Sequence, residues 1–259
     1  MRIHRYDGDV IFSCRDADGV IDVVDESSVR SLQFSSAARQ STMYLREPRR
    51  LALAYTQSMM TCLLFGDAPE RALMLGLGGG SLVKFLLDQC SGCTVDAVEK
   101  RPKIVEVAKE FFHLPQDKRL SVHVGDALRF LEGPRADPYD LIAVDLHNSQ
   151  GMAPVVQRSE FFPCCHRWLT ADGMLVINLW YGSSESEEQL VRGNLAKAFE
   201  ERVLYLPVAG KRNCIALAFG RSRGLDLAAA RKRARQWQKR VQIDFPELLA
   251  EMRRFNPVL

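Results

Sequence analysis

A glycine-rich turn after a short apolar run constrains the fold of this chain more than any other feature of the sequence. The run Ala72–Leu75 leads into Gly-Leu-Gly-Gly-Gly at residues 76–80, and apolar residues at helical spacing begin at Leu82. This order predicts a buried strand, a tight turn and a helix. The glycines let a ligand approach the backbone, and the helix N-terminus supplies unpaired N–H groups and a positive dipole end.

An acidic residue ends the next predicted strand. The strand covers residues 94–98 and runs into Glu99, which lies 19 positions after Gly80. A carboxylate at this distance is placed to accept hydrogen bonds from both hydroxyls of a ribose. The spacing therefore predicts an adenosine-type nucleotide. The alternative is a purely structural strand, turn and helix in which the acid occurs by chance.

The composition is that of an ordinary globular protein. Of 259 residues, 47% are hydrophobic and 26% charged, and the net charge of +3 is too small to indicate a nucleic-acid partner. No apolar run approaches the ~20 residues that cross a bilayer, and the first residues lack the apolar core of a signal peptide. We therefore expect a cytoplasmic protein with no membrane segment and no nucleic acid bound.

The seven cysteines suggest a metal site only superficially. Cys90 and Cys93 have ligand spacing, and the adjacent Cys164 and Cys165 lie next to His166. Zinc sites present two well-spaced ligand pairs, and two adjacent cysteines make a poor second pair. The pattern predicts reduced thiols and no metal.

Strands and helices alternate from residue 56 to residue 220, and the strands are almost entirely apolar. This pattern predicts an α/β fold, a doubly wound, mostly parallel sheet with helices on both faces. Residues 1–55 have the pattern of a few short strands. Such strands are stable only when they pack on another part of the protein, so we expect an N-terminal β arm or cap. Residues 221–259 read as a basic helical tail whose apolar side, around Trp237, docks on the main domain.

Four predicted strand ends carry the candidate site. In an open parallel sheet, ligands bind beyond the carboxyl ends of the central strands. The glycine turn, Glu99, the Gly125-Asp126-Ala127 sequence and Asp145 all fall at such ends. Asp126 is placed to accept from an adenine amine, and the Ala127 N–H to donate to a ring nitrogen. A lone Asp at a strand end is usually only a helix N-cap, so their convergence is the signal.

The chain from about Tyr55 to Phe219 resembles the spermidine synthases, the polyamine aminopropyltransferases, and above all their bacterial spermidine synthase-like relatives. The matching segments are Gly76-Leu-Gly-Gly-Gly80, Val98-Glu99, His123-Val-Gly-Asp126-Ala127 and Tyr139-Asp-Leu-Ile-Ala-Val-Asp145. The resemblance implies a methyltransferase-like Rossmann fold and a homodimer. It also implies aminopropyl transfer from decarboxylated S-adenosylmethionine to putrescine, with release of methylthioadenosine.

The resemblance also implies roles for individual residues. Glu99 would hold the ribose, Asp126 and Ala127 the adenine, and Asp145 would take the proton of the attacking amine or orient that amine. Tyr55 and Gln57 resemble the tyrosine–glutamine pair of the family. The predicted nucleotide-binding residues are Gly76, Gly78, Gly80, Glu99, Asp126, Ala127 and Gln57, and the predicted substrate-binding residues are Tyr55, Asn148 and Trp180.

Three departures from the family pattern leave the donor and the acceptor open. Gly79 stands where the family has an aspartate that pairs with the donor ammonium, and Asn148 stands where a second aspartate holds the polyamine. The tyrosine before the last strand is missing from residues 207–213, where Lys211 and Arg212 would repel a cation. A hydrogen bond to a charged group contributes about 1.5–3 kcal/mol, so two lost carboxylates weaken a dicationic substrate by orders of magnitude.

Two alternatives follow from these departures. Without the turn aspartate, the glycine turn resembles that of S-adenosylmethionine-dependent methyltransferases. Their donor carries a carboxylate, which the backbone N–H groups of such a turn can bind. The chain would then methylate an unknown small molecule. The other alternative is a non-catalytic protein that binds S-adenosylmethionine or methylthioadenosine.

Overall fold

The computed structural model describes residues 6–34, 38–134, 137–148, 151–180, 185–221 and 225–257. The chain begins with a four-stranded antiparallel sheet whose strands pair in sequence order. Its strands are β1 (Asp9–Asp16), β2 (Gly19–Glu26), β3 (Val29–Gln33) and β4 (Arg39–Tyr44). The tight turn between β1 and β2 ends at Gly19, whose φ of 116° suits glycine.

The remaining elements alternate between strand and helix before two closing helices. In chain order they are α1 (Ala54–Met59), a 3₁₀ helix (Met60–Leu64), β5 (Arg71–Leu75), α2 (Ser81–Gln89), β6 (Thr94–Glu99), α3 (Pro102–Phe111), β7 (Leu120–Val124), α4 (Ala127–Glu132), β8 (Tyr139–Val144), β9 (His147–Asn148), β10 (Gly151–Met152), a 3₁₀ helix (Pro154–Gln157), α5 (Phe161–Trp168), β11 (Leu169–Trp180), α6 (Glu185–Ala198), β12 (Val203–Pro207), β13 (Asn213–Phe219), α7 (Leu227–Gln238) and α8 (Phe245–Phe255).

Seven of these strands form one sheet in the order β12-β13-β11-β8-β5-β6-β7. The five strands from β11 to β7 are parallel, and β13 runs antiparallel between β11 and β12. Along β5, Ala72 and Met74 enter the core on one face of the sheet, and Leu73 and Leu75 enter the core on the other. Burial on both faces explains the continuous apolar run, and the predicted doubly wound, mostly parallel fold is confirmed.

Two predicted helices are shorter in the structure. The apolar spacing from Leu51 to Phe65 indicates one helix. However, α1 begins only at Ala54, because Leu51 instead forms a β-bridge with Met43. The helix then tightens into a 3₁₀ helix at Met60. The helix predicted from Pro154 to Leu169 is likewise divided in the structure into a 3₁₀ helix and α5. In addition, β11 starts before the predicted turn at residues 171–173, which the sheet absorbs as an irregularity in register.

The N-terminal sheet packs on α3 rather than standing alone. Ile21, Val23 and Leu32 share a buried cluster with Ile104 and Phe112. A half-buried ion pair supports this contact, because the Arg101 guanidinium donates to both oxygens of Asp16, at 2.9 and 2.8 Å. The sheet therefore acts as a cover for one side of the larger sheet. The boundary at residue 55 stays a prediction.

The tail docks on the larger domain, as the apolar side around Trp237 predicts. Trp237, Phe245 and Met252 are buried in the same core as α1 and β5. Asn256 then pairs with the edge strand β12 through its side chain, since its Oδ1 accepts from Tyr205 N at 2.8 Å and its Nδ2 donates to Tyr205 O at 2.7 Å. This contact covers backbone groups that an edge strand otherwise leaves unpaired. None of the helices in the described ranges is long and apolar enough to cross a membrane.

One lysine is buried where the N-terminal sheet meets α2. Lys84 is only 3% exposed, its Nζ donates to Phe112 O at 2.6 Å, and it lies 3.3 Å from Met43 Sδ. No carboxylate of the described residues pairs with it. Burial therefore lowers the pKa of Lys84 to about 8.

We expect Lys84→Met to change how stability depends on pH. Lysine in an unfolded chain has a pKa near 10.4, so between about pH 8 and 10.4 the unfolded state binds more protons and wild-type stability rises with pH through Lys84. The free energy of unfolding of the variant minus that of the wild type should accordingly fall by roughly 2 kcal/mol from pH 7 to pH 10. Urea denaturation at each pH measures this difference.

The difference between the two proteins isolates Lys84 from the buried thiols. Burial raises the pKa of Cys90 and of Cys214 to about 11, and these groups make both proteins less stable as pH rises. The exposed Lys232 is the matched control, and Lys232→Met should give a curve parallel to the wild type. If the stability–pH curves of Lys84→Met and the wild type are parallel, folding does not lower the pKa of Lys84.

Candidate active site

A cavity of about 380 Å³ lies at the carboxyl ends of the central parallel strands. Its wall combines the turn after β5 with the ends of β6, β7, β8 and β11 and the start of the antiparallel β13. The N-terminal sheet closes one side through Gln40 and Ser41 of β4. The volume is in the range of small-molecule sites, and the position is the one that the parallel sheet predicts.

Backbone hydrogen bonds hold the strand ends together at this edge. Asp145 N donates to Leu75 O, and Gly76 N donates to Val98 O, each at 2.9 Å. Gly125 N continues the row by donating to Glu99 O at 2.9 Å. The turn residues and the acids that follow β6, β7 and β8 are therefore fixed relative to one another by the sheet itself.

The turn after β5 requires glycine for two reasons. Gly76 has φ 95°, and a Cβ there would lie 2.3 Å from the backbone oxygen of Asp145. Gly78 and Gly80 have φ of 52° and 69°, which side chains rarely adopt. Gly79 has no such backbone constraint, but a Cβ there would lie 2.8 Å from both Phe112 Cδ1 and Ser41 Oγ. An aspartate at position 79 is therefore opposed by packing.

Glu99 lines the cavity at the end of β6 and is held by backbone donors. Its Oε2 accepts from Leu77 N at 3.1 Å, and its Oε1 accepts from Arg101 N at 2.9 Å. Burial raises the pKa of Glu99, and the N–H groups of Arg101, Leu77 and Gly78 together with the Arg101 charge offset burial only in part. The carboxylate is thus positioned beside the glycine turn with acceptor capacity that a ligand hydroxyl can use.

Asp126 and Ala127 line the cavity at the start of α4. Asp126 is the N-cap of this helix, because its Oδ1 accepts from Leu128 N and Arg129 N at 3.0 and 3.1 Å. One oxygen of Asp126 therefore has the common structural role of a helix N-cap. No described residue donates to Oδ2, which leaves that oxygen available to a ligand.

Asp145 stands at the centre of a hydrogen-bond network at the other end of the cavity. Its Oδ1 accepts from His147 Nδ1 at 3.1 Å and from Asn178 Nδ2 at 2.9 Å, and its Oδ2 accepts from Tyr55 OH at 3.1 Å. Asn213 extends the network by donating to Asn178 Oδ1 at 2.9 Å. Because an ionised carboxylate only accepts, His147 donates through Nδ1.

The network keeps Asp145 ionised. Burial on its own would raise the pKa of the Asp145 carboxyl, but the three donors together outweigh burial, so the pKa lies below its ordinary value. Burial and the Asp145 charge raise the pKa of Tyr55 well above its ordinary value. The phenol therefore stays protonated and continues to donate.

Most of the residues predicted from the sequence meet in this cavity. Gly76, Gly78, Glu99, Asp126, Ala127, Tyr55, Asp145, Asn148 and Trp180 all line it. Gln57 does not, because its amide donates to Leu51 O at 2.9 Å and holds the chain that precedes α1. Gly80 is the N-cap of α2 and is not one of the residues that line the cavity. Lys211 and Arg212 are exposed and lie outside the lining, and their repulsion of a cation stays a prediction.

The cavity also contains residues that the sequence patterns do not single out. They are Ser41, Ser81, His147, Asn178 and Asn213. Asn178 follows the strand-end rule, since it lies near the carboxyl end of β11, and Asn213 meets it because β13 runs antiparallel. Ser41 comes from the other sheet, and its Oγ lies 3.2 Å from Ser81 Oγ. No local sequence pattern marks that contact.

The cations of the lining are already paired with acids, of which Asp18 also lines the cavity. Lys100 Nζ lies 3.0 Å from Asp18 Oδ1, Arg101 pairs with Asp16, and Arg39 pairs with Glu26. The charges at the cavity are therefore dominated by the acids Glu99, Asp126 and Asp145, so the site favours ligands with hydroxyl, amino or ammonium groups.

Comparison with known proteins shows the family of this chain. The sequence matches the Spermine/spermidine synthase domain over residues 52–211. A polyamine aminopropyltransferase of Chromobacterium violaceum is 32% identical over 244 residues, which cover 91% of this chain and 90% of that protein.

Solved structures agree in fold. A spermidine synthase in complex with the transition state analogue AdoDATO is 17% identical, with a TM-score of 0.74 over 94% of this chain and 84% of that one. Human methyltransferase-like protein 13 in complex with SAH is 24% identical, with a TM-score of 0.65 over 77% of this chain and 93% of that one. At these identities the two structures show a shared fold alone.

The close contact at the turn predicts that Gly76→Ala destabilises the protein. The new Cβ meets backbone that cannot move without breaking the Asp145 N to Leu75 O bond, and positive φ adds strain, so we expect a loss of about 2–5 kcal/mol in the free energy of unfolding. Urea denaturation measures it. Gly92 is the matched control, because nothing lies within 4 Å of a Cβ there. A Gly76→Ala variant as stable as Gly92→Ala would show that the backbone at Gly76 is not in close contact with the backbone oxygen of Asp145.

Proposed function

Because this chain belongs to the spermine/spermidine synthase family, we propose that it transfers an aminopropyl group from decarboxylated S-adenosylmethionine to an amine. The resemblance drawn from the glycine turn and the strand ends is confirmed, and the relative from Chromobacterium violaceum is a transferase by name. The observation that carries the proposal is the convergence of Glu99 and Asp145 on one cavity of about 380 Å³.

The nucleotide half of the cavity suits the donor. The paired oxygens of Glu99 lie beside the glycine turn and can accept from the two ribose hydroxyls, while Asp126 Oδ2 and the Ala127 N–H suit the adenine edge. The acids also suit a donor that carries a sulfonium and an ammonium. These roles of Glu99, Asp126 and Ala127 are part of the proposal.

The other half of the cavity suits an amine acceptor. The amine nitrogen attacks the carbon beside the sulfonium, the C–S electron pair leaves with sulfur, and methylthioadenosine is released as a neutral thioether. The sulfonium already supplies the leaving group, so positioning contributes most of the rate. Asp145 provides a fixed negative charge there, and Trp180 and Asn148 form the wall around it.

One observation favours methyl transfer as the second candidate. Gly79 carries no side chain, and the hydroxyls of Ser41 and Ser81 lie at the start of α2, where backbone N–H groups suit a carboxylate. Intact S-adenosylmethionine has that carboxylate and the decarboxylated donor lacks it. The third candidate, a non-catalytic nucleotide-binding protein, shares the same pocket. The cytoplasmic location and the homodimer stay predictions of the sequence.

Product mass distinguishes the three candidates. The protein is incubated with either donor and putrescine, and separately titrated by calorimetry with methylthioadenosine. An aminopropylated amine formed together with methylthioadenosine supports the proposal. A methylated acceptor from intact S-adenosylmethionine supports the second candidate, and tight methylthioadenosine binding without turnover of either donor supports the third.

We predict that Glu99→Gln weakens methylthioadenosine binding by about 10- to 100-fold without unfolding the protein. Glutamine replaces one acceptor oxygen with a donor, which costs a charge-assisted hydrogen bond, but it also removes the cost of burying a charge. Calorimetry measures the affinity and thermal unfolding measures the stability. Asp96→Asn is the control, because Asp96 lies on the same strand outside the cavity wall and should keep full affinity. Equal affinities in the two variants would remove Glu99 from the nucleotide site.

We predict that Asn148→Asp lowers the KM for putrescine by about tenfold. Asn148 is exposed at the cavity, and its Oδ1 accepts from Gly151 N at 3.1 Å, a bond that an aspartate retains. The added carboxylate pairs with the second ammonium of a diamine. The KM for n-butylamine, which has no second ammonium, should not change. Asn148→Ser keeps an acceptor without charge and should leave both KM values near the wild type, whereas equal shifts for both amines would contradict the pairing.

A further inference from the structure

We infer that His147 Nε2 is the proton acceptor for the attacking amine and that Asp145 positions the imidazole. The inference rests on the proposed function and assigns a catalytic residue to it. His147 stands two residues after Asp145, at a position to which the resemblance to spermidine synthases gives no role. The side chain lines the cavity and is 13% exposed.

The geometry leaves one basic nitrogen unused. His147 Nδ1 lies 3.1 Å from Asp145 Oδ1 and donates to it, so the lone pair of the neutral ring is on Nε2. That nitrogen is buried and has no hydrogen-bond partner among the described residues. A buried polar atom without a partner is costly, and an amine N–H in the cavity would satisfy it.

The other groups around the acceptor are poorer bases. Both oxygens of Asp145 already accept hydrogen bonds, and these donors hold its pKa below the ordinary value. The Tyr55 phenol stays protonated and donates to Asp145 and to Gln40 O, at 3.1 and 3.2 Å. Asn178 and Asn213 carry amides, which are not bases. Among the described residues, Asp145 is the titratable group in contact with His147, and Tyr55 lies on the other oxygen of Asp145, so neither competes for the proton.

Proton transfer to His147 precedes formation of the N–C bond. The acceptor enters as an ammonium, R–NH₃⁺, and His147 Nε2 takes one proton, which gives R–NH₂ and an imidazolium stabilised by the Asp145 charge. The amine lone pair then forms the N–C bond while the C–S bond breaks, and the electron pair stays on sulfur. The product leaves as a secondary ammonium with methylthioadenosine, and the imidazolium returns its proton to water.

The kinetic test compares two histidine–carboxylate pairs. His147→Gln should lower kcat by about 10²- to 10³-fold with little change in the KM for the donor, as expected for the loss of a general base. The acid limb of the kcat–pH profile should disappear with it. His123→Gln is the matched control, because His123 Nε2 lies 2.8 Å from Asp96 Oδ1 outside the cavity wall, and it should leave kcat and the profile unchanged. In His147→Ala, added imidazole should restore part of the lost rate.

A second measurement does not depend on turnover. Nitrogen-15 NMR of the histidine rings should show His147 as the Nδ1–H tautomer at neutral pH, and Asp145→Asn should change that assignment. A wild-type His147 in the Nε2–H tautomer would overturn the inference, because Nε2 would then have no lone pair to accept a proton. A His147→Gln enzyme with an unchanged pH profile and rate would overturn it as well.

Failure of the inference and failure of the proposed function give different results. If the wild type forms no aminopropylated product, the function is refuted and the role of His147 falls with it. If the wild type turns over and His147→Gln matches His123→Gln, the function stands and the inference is refuted. Loss of rate in His147→Gln with imidazole rescue in His147→Ala supports both.

Discussion

The contact between the glycine turn and the end of β8 is the constraint on which the rest of the site depends. There is no room for a side chain at Gly76, since a Cβ would lie 2.3 Å from Asp145 O, and the Asp145 N to Leu75 O bond fixes the same contact from the other side. The turn and the Asp145 carboxylate are therefore held as one unit by the backbone. In the function that we propose, a donor seated on the turn and an acceptor beside Asp145 would meet at short range without any side chain having to bring them together, which is the condition for catalysis by positioning.

Two buried acids at this edge behave in opposite ways for identifiable reasons. Burial raises the pKa of Glu99, and the backbone N–H groups that it accepts from offset burial only in part. Asp145 receives side-chain donors on both oxygens, and its pKa is lowered despite burial. The first acid is thus suited to accept from neutral hydroxyls. The second is suited to remain charged and to hold the ring of His147 in one tautomer.

The fold and half of the site follow from the sequence because parallel strands bring their carboxyl ends to one edge. That rule brings Glu99, Asp126 and Asp145 together from the strand pattern alone. It gives no information on Ser41, which comes from a different sheet, or on the start of α1, where a β-bridge to Met43 overrides helical spacing. Gln57 matches a family pair in sequence, but local geometry directs its amide to Leu51 O. His147 escapes notice because its role depends on a partner whose orientation only the fold determines.

The two missing acids of the family pattern differ in what the surrounding structure allows. At Gly79 the backbone has no positive φ, but the space for a Cβ is filled by Phe112 and Ser41, each 2.8 Å away. Phe112 is fully buried against the N-terminal sheet, and Ser41 belongs to it, so an acid at position 79 requires that sheet to move. Asn148 is exposed at the cavity and accepts from Gly151 N in a way that an aspartate can also do. The packing of the N-terminal sheet on α3 therefore opposes an acid at position 79, whereas position 148 can take one by a change of a single exposed side chain. For this reason we expect the acceptor end of the site, rather than the glycine turn, to accept a restored acid without rearrangement.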